Sequence, residues 1–211
     1  KFETEDTNEG TFYLPDGTEK QHPLMRQFGS YHYLETNNLQ MIRLPYGDMG
    51  SIAAYVVLPR KDLGLDCLID YLYGGEWDDL ISRMNEATGQ IVLPKFELEF
   101  EKELNKPLQE IGMVLPFDKI EANLNGIIEI PGENAYISQA KHKTFLRVTE
   151  QGTEAAAATE VTVGITSALP PEEEFEMVVN RPFLFAIAEE ETGTLLFLGG
   201  IKNPKEIDKT E

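Results

Sequence analysis

The sequence predicts an α+β chain in which antiparallel sheets dominate and helices are short. Three observations carry that expectation. Short apolar or alternating runs, separated by Gly, Pro, Asn and Asp, fill most of the first hundred residues. A helical period replaces them over 63–84 and again, briefly, over 105–113. The last third returns to apolar strand-like runs, with no internal repeat and no composition shift that marks a linker.

Taken in order, "HPLMRQFGSYHYLET", "LQMIRLPYG" and "SIAAYVVLPR" read as strands joined by turns. "LGLDCLIDYLYGGEWDDLISRM" has apolar residues at helical spacing, broken by Gly74-Gly75 into two short helices. "GQIVLPKFELEFEKEL" is strand again, with Phe96, Leu98 and Phe100 alternating against charged neighbours, and "NKPLQEIGM" is a short helix with a glycine stop. "AYISQAKHKTFLRVTE" alternates, one face holding Ala140, His142, Thr144, Leu146 and Val148. Near the end, Phe183–Ala188 and Leu195–Leu198 predict a hairpin about the turn Glu190–Gly193, so apolar that both strands are expected to be buried on both faces. The whole, residues 1–211, reads as a single domain.

The chain carries 37 acidic against 18 basic residues, a formal charge of -19. That balance opposes association with nucleic acid or an anionic membrane, and no apolar run approaches the roughly 20 residues of a spanning helix. The first residues are not a signal peptide. Lys1 in place of an initiator Met points to a processed or partial chain, with any targeting signal upstream. Cys67 is the only cysteine, so no intrachain disulfide or thiolate metal cluster is available, and its surroundings predict a buried, inert thiol. One cysteine and no Asn-x-Ser/Thr sequon suit either side of a membrane, the extracellular side slightly favoured.

Catalytic signatures are absent. There is no Gly-x-Ser-x-Gly elbow, no phosphate loop and no His-Glu-x-x-His. His22, His32 and His142 are dispersed, and His32 lies in an aromatic run, Tyr31-His32-Tyr33, that reads as strand packing. The runs Glu172–Glu174 and Glu189–Glu191 read as solvated turns rather than acid/base pairs. No catalytic residue, cofactor or metal site is expected.

One segment breaks every simple pattern. "EQGTEAAAATEVTVGITSALPPEEEF" begins with alanines that favour a helix, continues with β-branched residues that favour a strand, and ends in Pro170-Pro171 and three glutamates. As an extended strand, one face would carry Thr153, Ala155, Ala157, Thr159, Val161, Val163 and Ile165, all small or apolar, and both glutamates would fall on the other face. Composition alone suggests a flexible Ala-rich connector. The alternation tips the reading toward a strand that forms conditionally. A dozen residues joining a sheet, at ~1 kcal/mol net per hydrogen bond, would release roughly 10 kcal/mol before the cost of ordering.

"TEQGTEAAAATEVTV" followed by "VVNRPFLFAIAEEETGTLLFLGGIKNP" closely resembles the hinge and C-terminal signature of the serpins. The runs "FETEDTNEGTFYLPDGTEKQHPLMRQFGSYHYLE", "IRLPYGDMGSIAAYVVLP", "IVLPKFELE" and "AKHKTFLRVTEQGTEA" fall where that family has comparable ones. The resemblance spans essentially the whole chain, yet a complete serpin is nearly twice as long. It therefore implies a serpin fold whose N-terminal, largely helical half is absent here, and a partner in that missing segment.

The resemblance also implies a suicide inhibitor of serine proteases rather than an enzyme. A target protease would attack an exposed reactive-centre loop, about 152–175, and form an acyl-enzyme. The loop would then insert into the main sheet, a well-known instance of strand addition, before hydrolysis finished. The family's loop length places the scissile bond at Thr166-Ser167, with Ser167-Ala168 the alternative, and a small residue there suits an elastase-like or subtilisin-like target. Gly152, Thr153, Glu154, Ala155, Ala156, Ala157 and Ala158 match the inhibitory hinge. Lys95 and Glu150 match a charged pair that closes the top of the main sheet, and His142 matches a histidine where that sheet opens. The alternatives are a non-inhibitory carrier or chaperone and an inhibitor of cysteine proteases. A hydrolase is a distant third.

Overall fold

A computed structural model describes residues 1–47, 50–128, 134–153 and 174–207. The contacts divide these residues into two compact units, one of residues 1–97 and 147–211, the other of 98–146.

The larger unit is organised on an eight-stranded sheet. Its strands are β1 (Asn8–Tyr13), β2 (Glu19–Glu35), β3 (Leu39–Tyr46), β4 (Ile52–Pro59), β5 (Asn85–Pro94), β9 (Phe175–Val178), β10 (Phe183–Glu189) and β11 (Leu195–Ile201). The spatial order is β11-β10-β4-β3-β2-β5-β9, with β1 beside β2. β2 has 17 residues and serves three partners in turn: β1 through Leu24, β5 from Leu24 to Tyr33, and β3 from Tyr33 onward. All pairings are antiparallel except β5 with β9.

The sheet has a core on each face. On one, Met41, Tyr55, Val57, Leu184 and Ala186 pack under the helices α1 (Gly64–Tyr73) and α2 (Trp77–Ser82), separated as expected by Gly74-Gly75. On the other, Phe96 stands edge-on to Phe183 and Phe185, with ring centres 5.8 and 5.7 Å away. β4 lies between β3 and β10 and is buried from Ala53 to Pro59, the burial expected of an apolar run with partners on both edges.

Three sequence expectations need correction. The hairpin β10–β11 forms, but only β10 is buried on both faces; Leu195, Leu196 and Leu198 are exposed, because β11 is the edge strand. Cys67 is exposed. The buried stripe of α1 is Leu65 and Leu68 with Ile69 and Leu72 beside them, and a residue two positions past Leu65 lies about 200° round the helix from it. His32 is exposed while Tyr33 is buried, as alternation along β2 requires. Of the acidic turn, Glu189 accepts hydrogen bonds from Glu191 and Thr192, but Glu190 is not simply solvated: its carboxylate pairs with Arg43 and accepts the Tyr55 hydroxyl at 2.7 Å.

The smaller unit contains most of β6 (Phe96–Glu103), α3 (Asn105–Glu110) and the first part of β7 (Lys141–Thr149). α3 ends as read from sequence, with Gly112 at φ 103°. The Asn105 side chain spans two backbone groups, donating to Ser138 O at 3.0 Å and accepting from Ala140 N at 2.7 Å. Lys141–Glu101 and Lys143–Glu99 pairs link the strands at 3.0 and 3.3 Å.

Gly89 decides how β9 attaches. A Cβ there would stand 2.2 Å from the Phe175 carbonyl oxygen and 2.5 Å from its ring. Because the obstacle is backbone, Gly89→Ala should cost about 1–3 kcal/mol in urea unfolding and speed hydrogen exchange in β9 selectively.

Candidate functional site

The unusual segment is entered and left through two described stems. The first is β7, a turn at Glu150-Gln151, and β8 (Gly152–Thr153), which folds back antiparallel on β7 with Val148 opposite Thr153 and Thr149 opposite Gly152. Gly152 has φ 104°, which a side chain would oppose. The Thr149 hydroxyl donates to Gly152 O at 3.1 Å and fastens the turn.

Glu150 is the node of this stem. It is 7% exposed, and its carboxylate lies 2.9 Å from Lys95 Nζ and accepts the Thr7 hydroxyl at 3.0 Å. Its carbonyl accepts Phe2 N–H at 2.9 Å. Burial works to raise the Glu150 pKa, but the hydrogen bonds from Lys95, backbone and Thr7, with the Lys95 charge, outweigh it and hold the carboxyl below its ordinary range. Lys95 is held in turn: its N–H donates to Pro23 O at 3.0 Å, and its carbonyl lies 2.6 Å from His22 Nε2. A carbonyl only accepts, so Nε2 carries the hydrogen. His22 is fully buried against Phe12, and its Nδ1 has no partner among the described residues. Burial pushes the His22 pKa down, with the nearby Lys20 charge adding to it and the Lys95 carbonyl opposing.

The second stem is Glu174 and the start of β9. Phe175 stacks on Tyr33 with ring centres 4.0 Å apart and meets Tyr31 edge-on at 6.1 Å. The Gln40 amide donates to Tyr33 Oη at 2.7 Å and to Glu176 O at 3.0 Å, and the Tyr33 hydroxyl donates to Glu35 at 2.7 Å. Burial pushes the Tyr33 hydroxyl pKa up, so it stays a donor.

The structure thus brings Lys95 and Glu150 together and sets Gly152 and Thr153 against β7. Glu154, Ala155, Ala156, Ala157 and Ala158 of the hinge, and both sides of the expected reactive bond, Thr166 and Ser167, lie outside the described residues. His142 stands apart in the smaller unit, exposed, with Nε2 2.7 Å from the Thr144 hydroxyl and its ring near Phe100. Sequence reasoning missed Phe2, Thr7 and His22. The contacts Thr7–Glu150 and His22–Lys95 join residues far apart in the chain, and no local pattern encodes them. Among the described residues, no cluster of His, Cys, Asp or Glu could hold a metal ion, and no helix is long and apolar enough to cross a membrane.

Comparison with known proteins converges on one family. Residues 1–204 match the family described as Serpin (serine protease inhibitor). Serpin-ZXA of Oryza sativa subsp. japonica is 38% identical over 97% of this chain and 52% of the rice protein. An uncharacterized serpin-like protein of Thermococcus kodakarensis is 35% identical over 98% of this chain and 47% of its own length. Among solved structures, the thermophilic serpin tengpin in its native state aligns with a TM-score of 0.78 at 29% identity, covering 96% of this chain and 51% of that one. A serpin from the trematode Schistosoma haematobium aligns at 0.80 and 25%, covering 97% and 53%. The chain spans about half the length of the curated relatives it matches.

Two outcomes follow from the Glu150 node. A carboxyl held below its ordinary pKa of 4.5 contributes stability that is fully present above that pH and is lost as pH falls through the folded value. Glu150→Gln should lower stability by about 2 kcal/mol at neutral pH and flatten the loss below pH 4.5 in pH-resolved unfolding. His22, with its pKa below 6.5, stabilises most when neutral, so stability should decline as pH falls below 6.5. His22→Gln should remove that decline, read by the same titration.

Proposed function

The chain belongs to the serpin family, and from that premise we propose that it carries the reactive-centre loop of a protease inhibitor acting as a suicide substrate. Serine proteases of elastase-like or subtilisin-like specificity are the targets, and Thr166-Ser167 is the bond they attack. The protein is then an inhibitor and not a catalyst: it is consumed by one turnover. The rest of such an inhibitor supplies further strands of the sheet, which accords with relatives about twice as long.

The observation that carries this reading is the register of β8 on β7. Val148 faces Thr153 across the antiparallel pair, and directly opposed residues project from the same face. In an inserted loop, the same register would set Ala155 opposite Leu146, Ala157 opposite Thr144 and Thr159 opposite His142. Val148 and Leu146 are buried, so the part of the face that would receive Thr153 and Ala155 is the one that admits only small or apolar side chains. Glu154 and Glu160 would point the other way. A strand continued from β8 in that register would lie along β7 on the side away from β6, which is addition of a strand at a sheet edge.

In this mechanism the intact loop is the higher-energy state. Cleavage releases it, and each added hydrogen bond on β7 draws the acylated protease along the sheet. The Lys95–Glu150 pair lies beside the turn where that zipper begins, so loosening it should ease entry of the loop.

The test uses the intact natural protein, incubated with one protease of each class and analysed by denaturing gel and mass spectrometry. A covalent adduct cleaved at Thr166-Ser167 is expected. Ala155→Glu should abolish the adduct while cleavage continues, whereas Ala156→Glu, on the opposite face, should leave most of it. Cleavage with no adduct across a broader panel would sink the proposal in favour of a carrier or chaperone.

A further inference from the structure

The larger unit contains an open cleft of about 610 Å³, none of whose lining residues belongs to the Glu150 stem. It is walled by the β2–β3 turn with Gln40, the residues after β4, and β9 with Asn180 and Arg181 of the link to β10. That volume falls within the range of small-molecule sites.

Its charges are unequally spent. Of three cations, Arg60 pairs with Glu35. Arg181 is half-buried and donates Nε and Nη2 to one neutral acceptor, the Pro59 carbonyl, at 3.1 and 2.8 Å. A guanidinium has five N–H donors, and no carboxylate among the described residues meets this one. Lys61 lies over the Tyr13 ring at 5.8 Å, again without a carboxylate partner among the described residues. Two wall carboxylates, Asp62 and Glu176, likewise make no ion pair there. Burial and the neighbouring Arg60 charge disfavour a charged Arg181, so an anion reaching it would relieve a cost the fold already bears. The unpaired acids would repel a ligand that is only anionic.

We propose that this cavity binds a small zwitterion of the amino-carboxylate class, a free amino acid or short peptide, with its carboxylate on Arg181 and its ammonium toward Glu176 and Asp62. A carboxylate taken by guanidinium matches the planar fork of Arg. An amino-carboxylate zwitterion carries no net charge, so the -19 overall charge of the protein does not oppose its binding.

Isothermal titration of the intact natural protein with glycylglycine, and with succinate as an anion-only probe, tests this. Saturable binding of glycylglycine is expected, with succinate at least tenfold weaker. Arg181→Gln should weaken glycylglycine at least tenfold, with Arg181→Lys retaining part of it. Glu176 is exposed on the edge strand β9, so Glu176→Gln should fold normally and also weaken glycylglycine while improving succinate. Equal affinity for both probes, indifference to Glu176→Gln, or no saturable binding of glycylglycine would each overturn the proposal.

Discussion

The Glu150 carboxylate is the constraint on which the stem of the loop depends. A buried carboxylate is tolerable only when its charge and lone pairs are met. Here Lys95 supplies the charge, Thr7 a second donor, and Phe2 secures the same residue's carbonyl. Three distant stretches of chain therefore converge where β7 ends. Lys95 lies between β5 and β6, so the same pair joins the residue that follows the large sheet's β5 to the turn that ends β7. His22 underpins that residue through the Lys95 carbonyl. A single polar cluster of the larger unit thus holds the β8 turn against the N-terminal residues and β2.

The second stem is held by different physics. Phe175 is fixed by ring stacking and by an amide that reads its neighbour's backbone, with no ion pair there among the described residues. Charge holds one end of the segment and apolar contact the other. The two attachments respond differently to solution conditions: acid weakens the first, while cooling weakens the second.

Much of the fold was legible because strand and helix periods are local. The runs that became β2, β3, β4 and β5, and the Gly74-Gly75 break between helices, follow from spacing alone. What could not be read was neighbourhood. Leu195, Leu196 and Leu198 look like core residues in sequence, and only the sheet order shows that β11 lies at an edge. Cys67 sits among apolar residues yet faces outward, since a helical stripe is narrower than a run of letters suggests. The pairing of Lys95 with Glu150 was expected only from resemblance. His22 and Thr7 were invisible, because each acts on a residue far along the chain.

The order of strands in the large sheet differs from their order in the chain, and this bears on biosynthesis. β4 is buried on both faces and pairs with β3 at one edge and β10 at the other. On the ribosome, β3 is available almost at once, but β10 emerges only after the helices, β5, β7 and the whole loop have been made. Until then β4 presents an unpaired edge on an apolar strand. The nascent chain therefore passes through a long interval in which its most hydrophobic element is half-assembled. In that interval the exposed edge can be closed by β10 or captured by a strand from another molecule.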